Sequence, residues 1–154
     1  MTRVAILVCT FGYIGFFPIA PGTVGSMAGL VVYWILHVAG QDQLLPAMVG
    51  VLLVAGVWSG TIAERHFGAI DPGPIVIDEV AGMLITLAFV PAGWSVAGVG
   101  FLVFRLFDII KPFPSARLER LPGGAGIMAD DAMAAVYANL VVRVFAWLGS
   151  AWGW

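Results

Sequence analysis

The sequence predicts an all-α, polytopic integral membrane bundle of four to five hydrophobic helices, with a short N-terminal re-entrant or interfacial segment. Three observations carry this. Hydrophobic residues make up 61% of the 154 positions and charged residues only 10%, against about 25% charged in an ordinary soluble domain. The mean hydropathy is +1.01, more apolar surface than so small a chain can bury in its own interior. The apolar stretches are long, and Pro- and Gly-rich turns separate them. The length is that of one domain, residues 1–154. The single cysteine, Cys9, excludes an intrachain disulfide and a cysteine-based metal site.

The elements follow in order. Residues 4–17 resemble the apolar core of a signal peptide but lack a small-residue cleavage site, so the segment is expected to be retained. It is too short to cross unaided, which leaves open a re-entrant or interfacial helix or a short span. "PIAPGTVGS" (18–26) reads as a loop, and Met27–Ala39, extended back through Gly25 and Ser26, as the first full span. "GQDQ" is a polar turn before a second span, Leu44–Ala63. "ERHFGAIDPGP" carries turn signals at Asp71-Pro72-Gly73. Ile75–Val90 reads as a third span with Asp78 and Glu79 near its start, and Val96–Lys111 as a fourth, stopped by Pro112. Residues 112–128 form a Pro/Gly loop, Ala129–Leu148 is the last span, and "GSAWGW" supplies interface-seeking tryptophans. No internal repeat is visible.

Because each short turn reverses the chain, successive spans alternate in direction. Thr23, Ser26, Glu64, His66, Asp71, Asp78, Glu79, Arg105, Asp108, Lys111, Asp130 and Asp131 then collect at one membrane face. The opposite turns carry only Asp42. Arg65, Lys111, Arg117 and Arg120 share the polar face, which the positive-inside rule makes cytoplasmic.

Acids at membrane depth mark functional sites, and two close carboxylates repel unless a proton or cation lies between them. With no available cysteine set and two histidines, that cation is a hard, oxygen-bound one such as Mg²⁺. Asp78-Glu79 and Asp130-Asp131 are the candidate ligands, although each pair could instead serve as first-turn charges or helix caps. "FRLFDIIKPFP" places Arg105, Asp108 and Lys111 at i, i+3 and i+6 along one flank. Asp108 either neutralises the two cations or joins the metal site, leaving Arg105 and Lys111 to an anionic substrate. In "APGTVGS", the amides of Gly22, Thr23, Gly25 and Ser26, with both hydroxyls, form a candidate phosphate cradle. Arg143 reads as a snorkelling side chain, and His37 and His66 as structural.

"PIAPGTVGS", "DPGPIVIDEVAGM", "FRLFDIIKPFP" and "GGAGIMADDAMA", in this order and spacing, resemble the phosphatidylglycerophosphatase A family of bacterial membrane phosphatases over about residues 12–140. One departure is Ala134-Ala135, where the family usually has Ala-Gly. The resemblance implies Mg²⁺-dependent removal of the terminal phosphate of phosphatidylglycerophosphate, giving phosphatidylglycerol. It implies a multi-pass protein of the bacterial inner membrane with a cytoplasmic active site, membrane lipid as partner, and no nucleic acid. A homo-oligomer is left open. On this reading Asp78, Glu79, Asp130 and Asp131 hold Mg²⁺, and Glu79, Asp131 or Asp108 orients the attacking water. Arg105, Lys111 and the 22–26 segment bind phosphate. A phospho-aspartyl route also stays open.

Rival phosphatase signatures are absent: there is no histidine-nucleophile motif and no paired-aspartate nucleophile motif. The alternative outside enzymes is a small transporter or ion-pathway protein. Its site would lie near the bilayer midplane, often between inverted repeats.

Overall fold

The computed structural model describes residues 1–152 and is helical throughout, with no strand among the described residues. The helices are α1 (Thr2–Cys9), α2 (Pro21–Val38), α3 (Leu45–Phe67), α4 (Ile77–Leu87), α5 (Trp94–Ile110), α6 (Ser115–Leu118) and α7 (Gly124–Trp152). Single 3₁₀ turns occupy Ile14–Phe16 and Asp42–Leu44. Of the terminal tryptophans, Trp154 lies outside the described residues.

Three helical segments are long and apolar enough to cross a membrane: Pro21–Val38, Asp42–Phe67 and Gly124–Ala151. The helix α5, with 17 residues, runs about 26 Å at 1.5 Å per residue, close to the roughly 30 Å of hydrocarbon. The helix α1 has eight residues and packs along α3, so it does not cross by itself.

The expected third span is corrected. The helix α4 has only 11 residues, about 16 Å, and nine of them are buried. It is the central rod of the bundle, packed against α2, α3, α5 and α7, and the chain continues from it in extended form at Ala88. Its apolar residues face protein rather than lipid, a distinction that hydropathy does not carry. Val80, Met83, Leu84 and Leu87 join Tyr33, Phe104, Ala134 and Ala138 in the core.

A short helix inside a bundle leaves its last carbonyls without water. Asn139 on α7 resolves this: its Nδ2 donates to the carbonyls of Thr86 and Ala88 at 2.9 Å each and of Ile85 at 3.2 Å. Arg143, one turn further, donates to Asn139 Oδ1 at 2.7 Å and reaches the Ala88 carbonyl at 3.4 Å. Arg143, an exposed side chain, therefore also braces a helix end.

Two expected loops are also helix. The helix α2 begins at Pro21, four residues before the expected start at Gly25, and α7 begins at Gly124, before the acidic pair rather than at it. Their glycines serve close approach. A methyl group on Gly25 would lie 2.8 Å from Val76 Cβ, one on Gly29 2.8 Å from Met83 Cβ, and one on Gly124 would meet the Val57 carbonyl of α3. Small residues that let backbones approach are a general device of membrane helix packing.

Candidate active site

Asp78 and Glu79 occupy the first turn of α4, behind the N-cap Val76, whose N–H donates to the Cys9 carbonyl at 2.9 Å. Carboxylates suit a helix N-terminus electrostatically. Asp131 comes from α7, two turns into that helix. One carboxylate oxygen from each of Asp78, Glu79 and Asp131 lies within 4.8 Å of the other two. Asp78 and Asp131 are 6% and 3% exposed. Asp78 Oδ1, Glu79 Oε2 and Asp131 Oδ2 are buried without a hydrogen-bond partner. Three convergent, unsatisfied carboxylate oxygens fit a hard divalent cation, which takes oxygen ligands and offsets the repulsion.

Two cations flank the triad. Arg105 Nη1 donates to Asp108 Oδ2, lies 3.7 Å from Glu79 Oε1, and reaches Ser26 Oγ at 3.5 Å. Asp108 is close enough to act by charge on Glu79 and Asp131. Lys111, the left-handed C-cap of α5, bridges Asp130 Oδ2 at 2.6 Å and Glu119 Oε1 at 2.7 Å.

Asp130 thus departs from its expected place among the metal ligands: its carboxylate turns to Lys111 and is not in the triad. Neighbouring helical residues project about 100° apart, so Asp130 and Asp131 face different partners. The segment expected as an amide cradle, Gly22–Ser26, lies in the first turns of α2. Thr23 and Val24 both donate to the Ala20 carbonyl, so those amides belong to the helix. Ser26 Oγ donates to the Gly22 carbonyl at 3.0 Å. Gly22 has a different use, because a methyl group there would strike Glu79 Oε1 and lie 3.1 Å from Arg105 Nη1. It gives the Glu79 carboxylate its room.

Asp71 stands on the loop before α4 with a left-handed φ of 45°, its N–H donating to Glu64 Oε1 at 3.2 Å. Burial raises its pKa; the Lys111 charge opposes this, and Glu119, Asp108 and Glu64 add to it. Of the histidines, His66 makes an edge contact with Phe67 and His37 pairs with Asp42 at the far end, 3.1 Å away. Glu119 and Asn139 were not singled out by the sequence. Glu119 sits in an apparently ordinary polar loop, and a lone Asn in an apolar run has no spacing signal.

A carboxylate triad at one end of an apolar helical bundle defines a buried, acid-rich site, and its helices are apolar enough to cross a membrane. The family model for phosphatidylglycerophosphatase A matches residues 7–146. The chain belongs to that family, and so to an enzyme class, the phosphoric monoester hydrolases. It is 39% identical to phosphatidylglycerophosphatase A of Escherichia coli over 124 residues, covering 79% of this chain and 72% of the relative. With the Haemophilus influenzae protein of the same name it shares 38% identity over 125 residues, 80% of this chain and 77% of the relative. A Bacteroides thetaiotaomicron protein, provisionally named a phosphatidylinositol-3-phosphatase, is 34% identical over 142 residues, 87% of this chain and 88% of its own. No solved structure matches the chain significantly.

Proposed function

We propose that the protein is a Mg²⁺-dependent phosphatidylglycerophosphatase that hydrolyses the terminal phosphate monoester of phosphatidylglycerophosphate. The carrying observation is the convergence of Asp78, Glu79 and Asp131 with one buried, unpartnered oxygen each. Mg²⁺ held by these three would offset most of their charge and polarise a phosphoryl oxygen. The chain's own groups supply the rest. Glu79 and Asp131 are committed to the cation, so Asp108 is the acid left to take a proton from the attacking water. Its Oδ2 is held by Arg105, leaving Oδ1 to accept that proton. Arg105 fixes Asp108 and Glu79 in relation to each other, and its buried, unpartnered Nε is a donor for the phosphate. Lys111 holds Asp130 and adds positive potential at the same end. The bundle excludes water from the triad, which strengthens each of these interactions.

The proposal includes a bacterial inner-membrane location. The helices α2, α3, α5 and α7 cross, α4 inserts as a buried half-span, and the site faces the cytoplasm with Arg65, Arg117 and Arg120. The transporter reading is weaker because the acids gather where α4 begins rather than at mid-bundle. The Bacteroides relative's name favours a second substrate of the same chemistry, a phosphoinositide 3-monoester. The test is phosphate release by the purified protein in detergent, from phosphatidylglycerophosphate and from phosphatidylinositol 3-phosphate, with Mg²⁺ and then with excess chelator. Mg²⁺-dependent release from the first substrate is expected. Release from the inositide alone would reassign the substrate, and release from neither would return the ion-pathway reading.

A further inference from the structure

The helices α2 and α5 touch near both ends of a shared seam. At the site end, Arg105 Nη1 reaches Ser26 Oγ at 3.5 Å and lies 3.7 Å from Glu79 Oε1. At the far end, Trp34 of α2 stacks on Trp94, the first residue of α5, with ring centroids 4.2 Å apart. These two contacts make the helices antiparallel. Ser26, Leu30 and Trp34 follow one another at i, i+4 and i+8 on α2. Trp94 and Arg105 stand three turns apart on α5, within about 20° of one line.

Over this seam opens an apolar groove of about 620 Å³, whose walls include Leu30, Val31, Trp34, Ile35, Val38 and Trp94. It begins at Leu30, one turn beyond Ser26, and runs along α2 away from Glu79. At 1.5 Å per residue, Ser26 to Trp34 is about 12 Å and Arg105 to Trp94 about 16 Å. One leaflet's acyl chain fills half of a hydrocarbon core of roughly 30 Å, which is about 15 Å. The seam therefore has the layout of a phosphate and one lipid chain. A guanidinium stands at one end, its Nε buried and unpartnered, and an apolar trough reaches one leaflet's depth beyond it. A second apolar groove of similar size follows Val51, Val54 and Trp58 on α3, a helix that carries neither Arg105 nor Ser26.

We infer that the α2–α5 groove holds one acyl chain of the lipid whose phosphate faces Arg105, with the Trp34–Trp94 stack at the chain's methyl end. The identity of that lipid rests on the phosphatase reading. A chain seated here positions the headgroup over the site. The groove then favours lipids with chains long enough to reach the tryptophans. All chains in a bilayer are already in hydrocarbon, so the preference comes from packing along Leu30 and Ile35 and from the headgroup contact.

Photolabelling tests this directly. The probe is a phosphatidylglycerophosphate analogue with a diazirine at one chain end and a phosphonate in place of the terminal phosphate, so that it is not hydrolysed. It is a minor component of phosphatidylcholine vesicles that hold the full-length protein and Mg²⁺. Labelling should concentrate on Ile35, Val38 and Trp94. A phosphatidylcholine with the same diazirine chain should label them about tenfold less, the scale of one charge-assisted contact. Equal labelling by the two lipids would mean bulk lipid only and overturn the inference, as would headgroup-dependent labelling confined to the α3 groove. In turnover, Ile35→Trp fills the groove about 13 Å beyond Ser26. It should raise KM about tenfold for a palmitoyl substrate, the low end of what lost apolar contact costs an enzyme site, and leave a hexanoyl substrate unchanged. Val54→Trp is the control in the α3 groove, 74% exposed against 63% for Ile35, and should change neither. No change, or an equal change for both chain lengths, overturns the inference. Headgroup-dependent labelling of the groove without hydrolysis of phosphatidylglycerophosphate would keep the groove and remove the phosphatase reading. Mg²⁺-dependent hydrolysis with equal labelling by the two lipids would do the reverse.

Discussion

Replacing Gly22 by alanine should damage catalysis while leaving the fold as stable as before or slightly more so. Alanine in a helix is favoured over glycine by about 0.8–1 kcal/mol, so the backbone gains from the change. The methyl group, however, would occupy the space of Glu79 Oε1 and lie 3.1 Å from Arg105 Nη1. Both are the free ends of flexible side chains, so they yield while the helices stay in place. Restoring an ordinary contact near 3.5 Å moves the carboxylate by roughly 1.5 Å. A misplacement of about 1 Å at a reacting centre costs on the order of 100-fold in rate. The expected result is a 10- to 100-fold fall in kcat/KM, a higher Mg²⁺ requirement, and an unchanged or raised melting temperature in detergent. Gly98→Ala is the control, because a methyl group there meets nothing within 4 Å, and it should keep full activity. Full activity of Gly22→Ala at an unchanged Mg²⁺ requirement would refute the idea that this glycine reserves the position of Glu79.

Three further outcomes are expected. Millimolar Mg²⁺ should raise the melting temperature of the wild type, and Asp131→Asn should abolish both that rise and turnover; a Mg²⁺ shift of wild-type size would take Asp131 out of the ligand set. Asn139→Leu deprives the Thr86 and Ala88 carbonyls of their donor and should cost about 2 kcal/mol, measured by unfolding in detergent; an unchanged transition would mean those carbonyls find other partners. Arg117→Cys, in the short α6 turn beyond α5, should be labelled only by reagents that reach the cytoplasm; labelling by an impermeant external reagent would invert the proposed topology.

The gathering of the acids was legible from the sequence because it needs only alternation. Short turns force antiparallel neighbours, and Asp78 and Asp131 must then meet at one end. Which acid of each pair turns inward was not legible. Asp130 and Asp131 differ by 100° of helix rotation, and only the position of Lys111 decides between them. The glycines at 22 and 124 were misread as loop because glycine is a breaker in water, whereas between apolar helices it is a point of contact. The length of α4 was hidden for a related reason: a segment buried in protein and one buried in lipid have the same hydropathy. Its true end is marked by Asn139, which lies 52 residues further along the chain.

The donation of Asn139 to the end of α4 bears on how the protein is made. An 11-residue segment with two acids in its first turn is a poor substrate for one-at-a-time insertion into a bilayer, and its final carbonyls wait for a partner that is synthesised later. The same helix, α7, delivers both Asn139 and Asp131. Until α7 is in place, the carbonyls at the end of α4 lack their Asn139 donor and Asp78 and Glu79 lack Asp131.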